Sequence, residues 1–375
     1  MLTPCRLAIY WSATLGRVAA RDAIADLRRI AFLLERANEA TYRVRAFRGA
    51  ADTLAQLPSE EVAARAAAGT LTKLKGVGDV SARCVVESLA GEEPVYLRRL
   101  SATEGSDVGE AAAQLRTALR GDCHLHSDWS DGGSPIEEMV TSAIDLGHEY
   151  MVLTDHSPRL TVARGLSADR LREQLDVVAA LNETLSGAGV AFRVLTGIEV
   201  DINADGSLDQ EEDLLARLDV VVGSIHSGLK DDADVMTRRM LTAIANPNLD
   251  ILGHCTGRKL AMGADRGDRA HRSTAARGRP ESAFDATAVF TACRDRGKAV
   301  EINCRPDRLD PPKRLLRQAY EIGCVFAIDT DAHAPGQLDW LDNGCERAAL
   351  CGVDADRVVN TWAADRLVTW AAGHA

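Results

Sequence analysis

The sequence predicts an α/β protein in which a barrel of parallel strands and helices follows a small all-α domain. Two observations support this fold class. From residue 120 onward, short apolar segments rich in β-branched residues alternate with segments of helical periodicity. Before residue 105, the periodicity is helical throughout. A chain of 375 residues is long enough for one barrel of roughly 250 residues and a smaller domain.

The second part of the chain contains seven predicted strands, one fewer than a complete eight-stranded barrel. These strands are 121–126, 149–154, 192–201, 218–225, 249–254, 298–303 and 323–329. The helices predicted between them include 134–147, 168–185, 232–245 and 283–296. Residues 262–282 are rich in Gly, Ala and Arg without periodicity, which predicts a long surface loop. Residues 338–373 are predicted to form terminal helices that cover the barrel.

The first part of the chain is predicted to form short helices. Helical spacing covers 18–38, 42–56 and 60–67, and residues 71–90 are typical of two short helices joined by Gly76-Val77-Gly78. The acidic segment 101–109 contains Gly and Ser and indicates a linker. We therefore predict a helical domain at 1–105, a linker at 106–119 and the barrel domain at 120–375.

Composition indicates a cytoplasmic protein. The nine cysteines form no CxxC pair, which is typical of reduced, buried thiols, and no apolar segment is long enough to span a membrane. The net charge of −11 argues against wholesale coating of nucleic acid. Residues 1–105, however, hold 15 Lys and Arg against 12 Asp and Glu, so the acidity belongs to the remainder, at −14. A metal centre would account for part of that acidity.

Six of the nine histidines stand at or just past the ends of predicted strands, and three carboxylates accompany them. In a parallel barrel these ends meet at one mouth, so we expect one pocket. Nine N and O ligands are too many for a single tetrahedral zinc. They suit two or three divalent metals, Zn, Mn or Fe, with Glu199 as the bridge. The predicted metal ligands are His124, His126, Asp131, His156, Glu199, His226, His254, Asp331 and His333.

Alternation along the first strand directs His124 and His126 into the mouth and Cys123 toward the helix layer. A lone histidine at a strand end is more often structural than a ligand, and we assign His148 and His271 to that class. His148 follows a helix end, where a cation suits the helix dipole. His374 is expected to be disordered at the terminus. An amidohydrolase also carries His-x-His on its first strand, but the strand Leu218–His226 lacks the bridging lysine of that class.

The motifs around these residues resemble the PHP family, the polymerase and histidinol-phosphatase hydrolases. They are His124-Leu-His126-Ser-Asp-Trp-Ser-Asp131, Thr-Asp-His156-Ser, Gly-Ile-Glu199-Val-Asp, Gly-Ser-Ile-His226-Ser, Leu-Gly-His254 and Asp331-Ala-His333. The resemblance implies a distorted seven-stranded barrel with a trinuclear site. One metal would be held by His124, His126, Glu199 and Asp331, a second by Glu199, His226 and His254, and a third by Asp131, His156 and His333.

Such a site is suited to phosphate esters, because metals generate hydroxide from water and stabilise both the attacking and the leaving oxygen. Arg258 and Arg305 follow strand ends and are candidates to clamp a phosphate, although either can equally be a solvated surface residue. The predicted catalytic residues are Glu199, His126 and Arg258.

The glycines Gly76 and Gly78 between two helices are typical of a helix-hairpin-helix, whose backbone N–H groups bind DNA phosphates. The predicted DNA-binding residues are Lys73, Lys75, Gly76, Gly78 and Arg83. Simple helix packing remains an alternative. Residues 21–100 also resemble the N-terminal domain of family X DNA polymerases, whose bacterial members carry a PHP domain. Only about twenty residues separate the two modules, too few for a polymerase palm. Cys84 and Val80 replace basic residues that the resemblance would require for lyase activity.

These observations predict a metal-dependent phosphoesterase that hydrolyses DNA phosphodiesters or 3′ ends in repair, in the manner of a 3′→5′ exonuclease, without polymerase activity. The first alternative is a phosphomonoesterase that acts on a small metabolite, like a histidinol phosphatase. A C–N amidohydrolase and a non-catalytic DNA-binding scaffold are further alternatives. The expected partner is DNA or another phosphate ester, and no membrane.

Overall fold

The computed structural model describes residues 21–102, 109–261 and 278–374. The chain divides into two compact units, Met1–Gly105 and Ser106–Ala375. Among the described residues, none of the helices combines the length and the apolar character of a membrane-spanning segment. The eight cysteines that lie in the described ranges are all buried with free thiols. Cys5, His271 and most of the predicted surface loop at 262–282 lie outside the described residues.

The first unit is helical, as predicted. Its α-helices are α1 (Ala23–Arg36), α2 (Thr41–Ala55), α3 (Ser59–Ala67), α4 (Asp79–Leu89) and α5 (Val95–Ser101). The side chain of Asp22 begins α1 by accepting the N–H groups of Ile24 and Ala25 at 2.8 and 3.2 Å. The helical spacing of Leu27, Ile30 and Leu34 places all three in the core of this unit.

The predicted hairpin differs from expectation in its first helix, which is a single 3-10 turn, Leu71–Lys73. The chain then turns at Gly76, whose φ of 86° is favourable only for glycine, and enters α4. Leu71 and Val77 are buried on either side of this turn, so apolar anchors hold a segment too short for an α-helix.

The second unit contains seven strands. They are β1 (Gly121–Leu125), β2 (Tyr150–Leu153), β3 (Arg193–Asp201), β4 (Val220–Ser224), β5 (Ile251–Leu252), β6 (Ala299–Asn303) and β7 (Val325–Asp329). All neighbours pair in parallel and in sequence order. Beyond the ends of β1 and β7, the N–H of His126 donates to Ala332 and that of Asp331 donates to His124, both at 2.8 Å. The seven-stranded parallel barrel is therefore confirmed, and it is nearly closed.

The outer helices of this unit follow the predicted alternation. They are α6 (Glu110–Ala118), α7 (Ile136–Asp145), α8 (Ala168–Gly187), α9 (Glu212–Leu215), α10 (Ala233–Ala245), α11 (Ala286–Asp295), α12 (Lys313–Ile322), α13 (Leu341–Leu350) and α14 (Ala364–Ala372). Helix α6 lies within the predicted linker 106–119. It packs against α13 and buries Ala112 and Leu115 in the core of the barrel unit, so this part of the range is structural.

The orientation predicted for Cys123 is wrong. Its side chain packs with Val152, Leu195 and Val222 in the cluster inside the barrel rather than with the helix layer. The pairing register of β1 with β2 shifts between Asp122 and Leu125, and this irregularity breaks the strict alternation on which the prediction relied.

Two histidines also differ from expectation. His148 is 5% exposed, and burial together with the nearby Arg116 lowers its pKa to about 3, so it is a neutral core residue and not a helix-end cation. His374 is ordered rather than disordered. Its Nδ1 lies 2.8 Å from Asp250 Oδ1, and its ring packs edge-on against Trp370 of α14. Helix α14 thereby joins the inner core through Leu367 and Ala371.

Candidate metal centre at the barrel mouth

All nine predicted ligands gather at the C-terminal ends of the strands. β1 positions His124 and His126, the turn after it carries Asp131, and β3 carries Glu199. His156, His226, His254, Asp331 and His333 follow the ends of β2, β4, β5 and β7. Gly132 allows the Asp131 turn, because a Cβ atom there would lie 2.5 Å from the carbonyl oxygen of Ser127. The common polarity of parallel strands is the reason that residues so far apart in sequence meet here.

Glu199 lies at the centre of the cluster and is 1% exposed. Its two carboxylate oxygens face five imidazoles. The Oε2 atom lies 3.5 Å from His124 Nε2, 3.6 Å from His126 Nε2 and 2.7 Å from His156 Nδ1. The Oε1 atom lies 3.4 Å from His226 Nε2 and 2.8 Å from His254 Nε2. A carboxylate shared in this way has the position that a bridging ligand requires.

Two aspartates complete the cluster. Asp131 Oδ1 lies 3.4 Å from Nε2 of both His156 and His333. Asp331 Oδ1 lies 3.4 Å from His126 Nε2. Asp331 adopts a φ of 52°, a left-handed conformation that costs free energy for a non-glycine residue and is typical of functional sites.

Three sets of these side chains bring ligand atoms within 4.8 Å of one another, as a metal ion requires. Their membership differs from the sets implied by the family resemblance. Glu199 is absent from the set of His124, His156 takes the place of His254 beside Glu199 and His226, and His126 joins Asp131. The three sets are His126, Asp131, His156 and His333; His124, His126 and Asp331; and His156, Glu199 and His226.

The buried nitrogens of this cluster fit divalent cations. Several imidazole nitrogens are buried with no hydrogen-bond partner among the described residues, although carboxylate oxygens lie nearby. They include His124 Nε2, both ring nitrogens of His126, His156 Nδ1 and His226 Nε2. Buried polar atoms normally have hydrogen-bond partners. These imidazole nitrogens instead face carboxylate oxygens without hydrogen-bond geometry, an arrangement that fits a cation held between them. The N and O donors suit Zn, Mn or Fe.

The electrostatics of the cluster favour cations as well. Burial raises the pKa of Glu199, but the charges of His156, His124 and His226 outweigh it and hold that pKa well below its usual value. For Asp331, burial is likewise outweighed by Arg305 and Arg308, and its pKa is lowered. Both carboxylates are therefore negatively charged at neutral pH, which is the state that binds metal.

Second-layer carboxylates orient two of the imidazoles, and sequence reasoning did not assign them a role. His124 Nδ1 lies 2.6 Å from Glu301 Oε1, and His226 Nδ1 contacts Asp201 Oδ1. A carboxylate on one ring nitrogen directs the other nitrogen toward a metal. Strand alternation was the available signal, because Asp201 shares the face of Glu199 in β3 and Glu301 lies near the end of β6.

Asp155 is a third residue that the sequence did not single out. Its buried carboxylate accepts the N–H and Oγ–H of Ser127 at 2.9 and 2.6 Å, the Oγ–H of Ser130 at 2.5 Å and the amide of Gln174 at 2.6 Å. Ser127 and Ser130 belong to the turn that ends at Asp131. Asp155 therefore anchors the turn that carries the predicted ligand Asp131. It also directly precedes a second predicted ligand, His156, in the sequence.

The arginines differ from prediction. The guanidinium of Arg258 donates to the carbonyl oxygens of Arg308, at 3.0 Å, and Leu309, so Arg258 holds a loop rather than the cluster. Arg305, the other candidate from the sequence, does reach the site, with Nη1 3.4 Å from both Asp331 Oδ1 and His333 Nδ1. Arg308, which sequence reasoning missed, is 7% exposed and places Nε 3.1 Å from Asp331 Oδ2.

The predicted DNA-binding residues of the first unit are exposed. Lys73, Lys75, Gly76, Gly78 and Arg83 all lie at the surface of the hairpin or of α4. Two backbone donors of the turn are already used, since the N–H of Val77 donates to Leu74 and that of Gly78 donates to Ser81 Oγ, at 3.2 and 3.0 Å. Cys84 is buried, and burial raises its pKa to about 11, so it is no substitute for a nucleophilic lysine.

Residues 122–304 match the family described as PHP domain, and residues 19–93 match the family described as helix-hairpin-helix domain. This chain carries a PHP domain. The predicted fusion of a PHP domain to a helix-hairpin-helix domain is therefore confirmed.

Two of the relatives to which this chain is similar carry different names. The DNA polymerase/3′-5′ exonuclease PolX of Bacillus subtilis is 37% identical over 242 residues, which cover 64% of this chain and 39% of PolX. A probable phosphatase of Thermoanaerobacter sp. (strain X514) is 27% identical over 251 residues, which cover 64% of this chain and 89% of that protein. The chain thus spans well under half the length of PolX.

Among solved structures, a histidinol phosphate phosphatase of Lactococcus lactis, determined with zinc, L-histidinol and phosphate, aligns with a TM-score of 0.38 and 17% identity. That alignment covers 62% of this chain and 92% of the other.

Proposed function

We propose that this protein is a metal-dependent phosphoesterase that hydrolyses phosphodiester bonds at DNA ends, as a 3′→5′ exonuclease does. The observation that carries the proposal is the central carboxylate of Glu199, shared by imidazoles from β1 and from the ends of β2, β4 and β5. Bound divalent metals would supply a hydroxide near neutral pH and would polarise the phosphoryl group.

The residues of the chain have distinct roles in this proposal. The nine clustered side chains would hold the metals, and Glu199 would bridge two of them. Glu301 and Asp201 keep His124 and His226 oriented through their Nδ1 atoms. Arg305 and Arg308 lie beside Asp331 and would bind the anionic phosphoryl oxygens, the role for which Arg258 and Arg305 were the candidates from the sequence.

The choice of DNA is supported by the first unit. A helix-hairpin-helix precedes the PHP domain, and PolX, whose name includes a 3′-5′ exonuclease, is 37% identical to this chain over 242 residues. The exposed Lys73, Lys75 and Arg83 would bind DNA phosphates there, with Gly76 and Gly78 allowing close approach of the backbone.

The test compares three substrates with metal-reconstituted protein: 3′-recessed or single-stranded DNA labelled at its 5′ end, the same DNA with a 3′ phosphate, and small phosphomonoesters. We expect stepwise shortening of the DNA from its 3′ end, and none with Glu199→Gln at matched metal supply. Absence of DNA shortening, with rapid turnover of a phosphomonoester, would refute the exonuclease assignment.

A second candidate is a phosphomonoesterase that acts on a small metabolite. It is favoured by the probable phosphatase of Thermoanaerobacter, because the chain covers 89% of that protein. The same three-substrate comparison separates the two candidates.

A further inference from the structure

A cavity of about 490 Å³ in the barrel unit is rich in arginine. Among the described residues it is lined by Arg258, Leu260, Arg279, Pro280, Glu281 and Arg314. Three guanidinium groups therefore face one carboxylate. This local excess of positive charge stands out in a chain whose net charge is −11.

The cavity is separated from the cluster by one short segment, 305–310. On the cavity side, Arg258 Nε donates to the carbonyl oxygen of Arg308 at 3.0 Å. On the cluster side, Arg308 Nε lies 3.1 Å from Asp331 Oδ2. Arg258, at the cavity, and Asp331, in the cluster, therefore contact the same residue, Arg308.

The cations of this region repel one another in the folded protein. Burial and the charge of Arg308 lower the pKa of Arg279, and the same two causes lower that of Lys259. Lys259 and Arg305 share one partner, Asp307, at 3.7 and 3.2 Å. Unfavourable proximity of like charges is relieved when an anion binds between them.

Two of the three cavity arginines, Arg258 and Arg279, are held in place by backbone carbonyl oxygens. Arg279 donates Nε to the carbonyl oxygen of Gly257 at 2.6 Å, and Arg258 donates to two carbonyl oxygens. An arginine has five N–H donors, so these anchoring contacts leave donors for a phosphate. Glu281, which contacts Arg314 and lies 3.8 Å from Arg258, is the acid that a phosphate would compete with.

We infer that this arginine cavity binds a second phosphate of the substrate, next to the phosphate under attack, so that the enzyme selects polynucleotide chains over isolated phosphate esters. The inference rests on the proposed phosphoesterase activity. A phosphodiester chain carries a charge at every nucleotide, whereas a small monoester has no group to occupy the cavity. The cavity thereby distinguishes an exonuclease from a phosphatase within one barrel.

The experiment compares a dinucleoside monophosphate, which has one phosphodiester, with a trinucleotide that adds a flanking phosphate. In the wild type, the flanking phosphate should raise kcat/KM and binding by about tenfold, the effect of one charge-assisted contact. Arg314→Gln and Arg279→Gln should remove this gain and leave hydrolysis of the dinucleoside monophosphate unchanged. Glu281→Gln should enlarge the gain.

The matched control is Arg317→Gln, the same change on the exposed side of α12 and outside the cavity, which should keep the gain. Arg314 is exposed on the same helix, so its variant tests the inference even if Arg279→Gln disturbs the loop. Fluorescence anisotropy with the two nucleotides is measured beside turnover. If nothing is hydrolysed but Arg314→Gln still abolishes the binding preference, the proposed function fails and the cavity assignment stands. No gain in the wild type, or an equal loss in Arg317→Gln, overturns the inference.

Discussion

Acidification should destabilise the barrel through His148, which is not one of the predicted metal ligands. The side chain follows α7, is 5% exposed, and neither ring nitrogen has a hydrogen-bond partner among the described residues. Burial, with the charge of Arg116, lowers its pKa from 6.5 to about 3. Between pH 6.5 and about 3, the imidazole is therefore neutral in the folded protein and protonated in the unfolded chain.

The sign follows from that difference. A histidine whose pKa is depressed by folding contributes its full stability above pH 6.5, and this contribution is lost as the pH falls from 6.5 toward 3. With one pKa unit worth about 1.4 kcal/mol, the loss at pH 5 relative to pH 8 is about 2 kcal/mol. The full loss, once both states are protonated, is about 5 kcal/mol.

The assay is urea unfolding at pH 8 and pH 5 of the wild type and of His148→Leu, both treated with a chelator so that metal loss does not contribute. At pH 8 the free energy of unfolding of the variant should differ from that of the wild type by less than about 1.5 kcal/mol. The substitution replaces a buried ring that has no hydrogen bond with an apolar side chain. At pH 5 it should gain about 2 kcal/mol relative to the wild type. An equal pH response of the two proteins would show that His148 titrates normally and that its burial is misjudged.

Three further predictions concern function. Elemental analysis of purified protein should find roughly two or three divalent metals per chain. Glu199→Ala should lower that number and should reduce phosphoesterase turnover by more than about a hundredfold. Full metal content and activity in the variant would refute the bridging role. The protein should not extend a primer on a DNA template with any metal, because the segment between its two domains is too short for a polymerase palm. Template-dependent incorporation of nucleotides would overturn that domain interpretation. Changing Gly76 and Gly78 together to leucine should weaken DNA cleavage in a salt-dependent manner. Hydrolysis of a small chromogenic phosphoester should be unchanged. Unchanged DNA cleavage would show that the hairpin does not bind the DNA substrate.

The fold class, and a set of side chains that gather at one barrel mouth, could be predicted from the sequence. Period-two and period-3.6 patterns are local properties, so the seven strands and most helices could be predicted from them. The ends of parallel strands converge whatever the details of packing, and this is why side chains from His124 to His333 could be assigned to one mouth before any distance was known.

The grouping of those side chains and the residues that support them depend on the tertiary structure. The irregular pairing of β1 turned Cys123 into the barrel, and no local pattern shows such a shift. Burial, a property of the whole fold, made His148 neutral and ordered His374 against Asp250.

The contacts of three arginines likewise depend on the fold and not on the sequence positions of these residues. Arg258, Arg305 and Arg308 are equivalent by residue type and by their proximity to strand ends. The path of the segment 305–310 brings Arg305 and Arg308 to Asp331 and commits Arg258 to backbone carbonyl oxygens at the edge of the neighbouring cavity. Because a long flexible side chain can reach many places, its partner is set by the surrounding backbone and not by its position in the sequence.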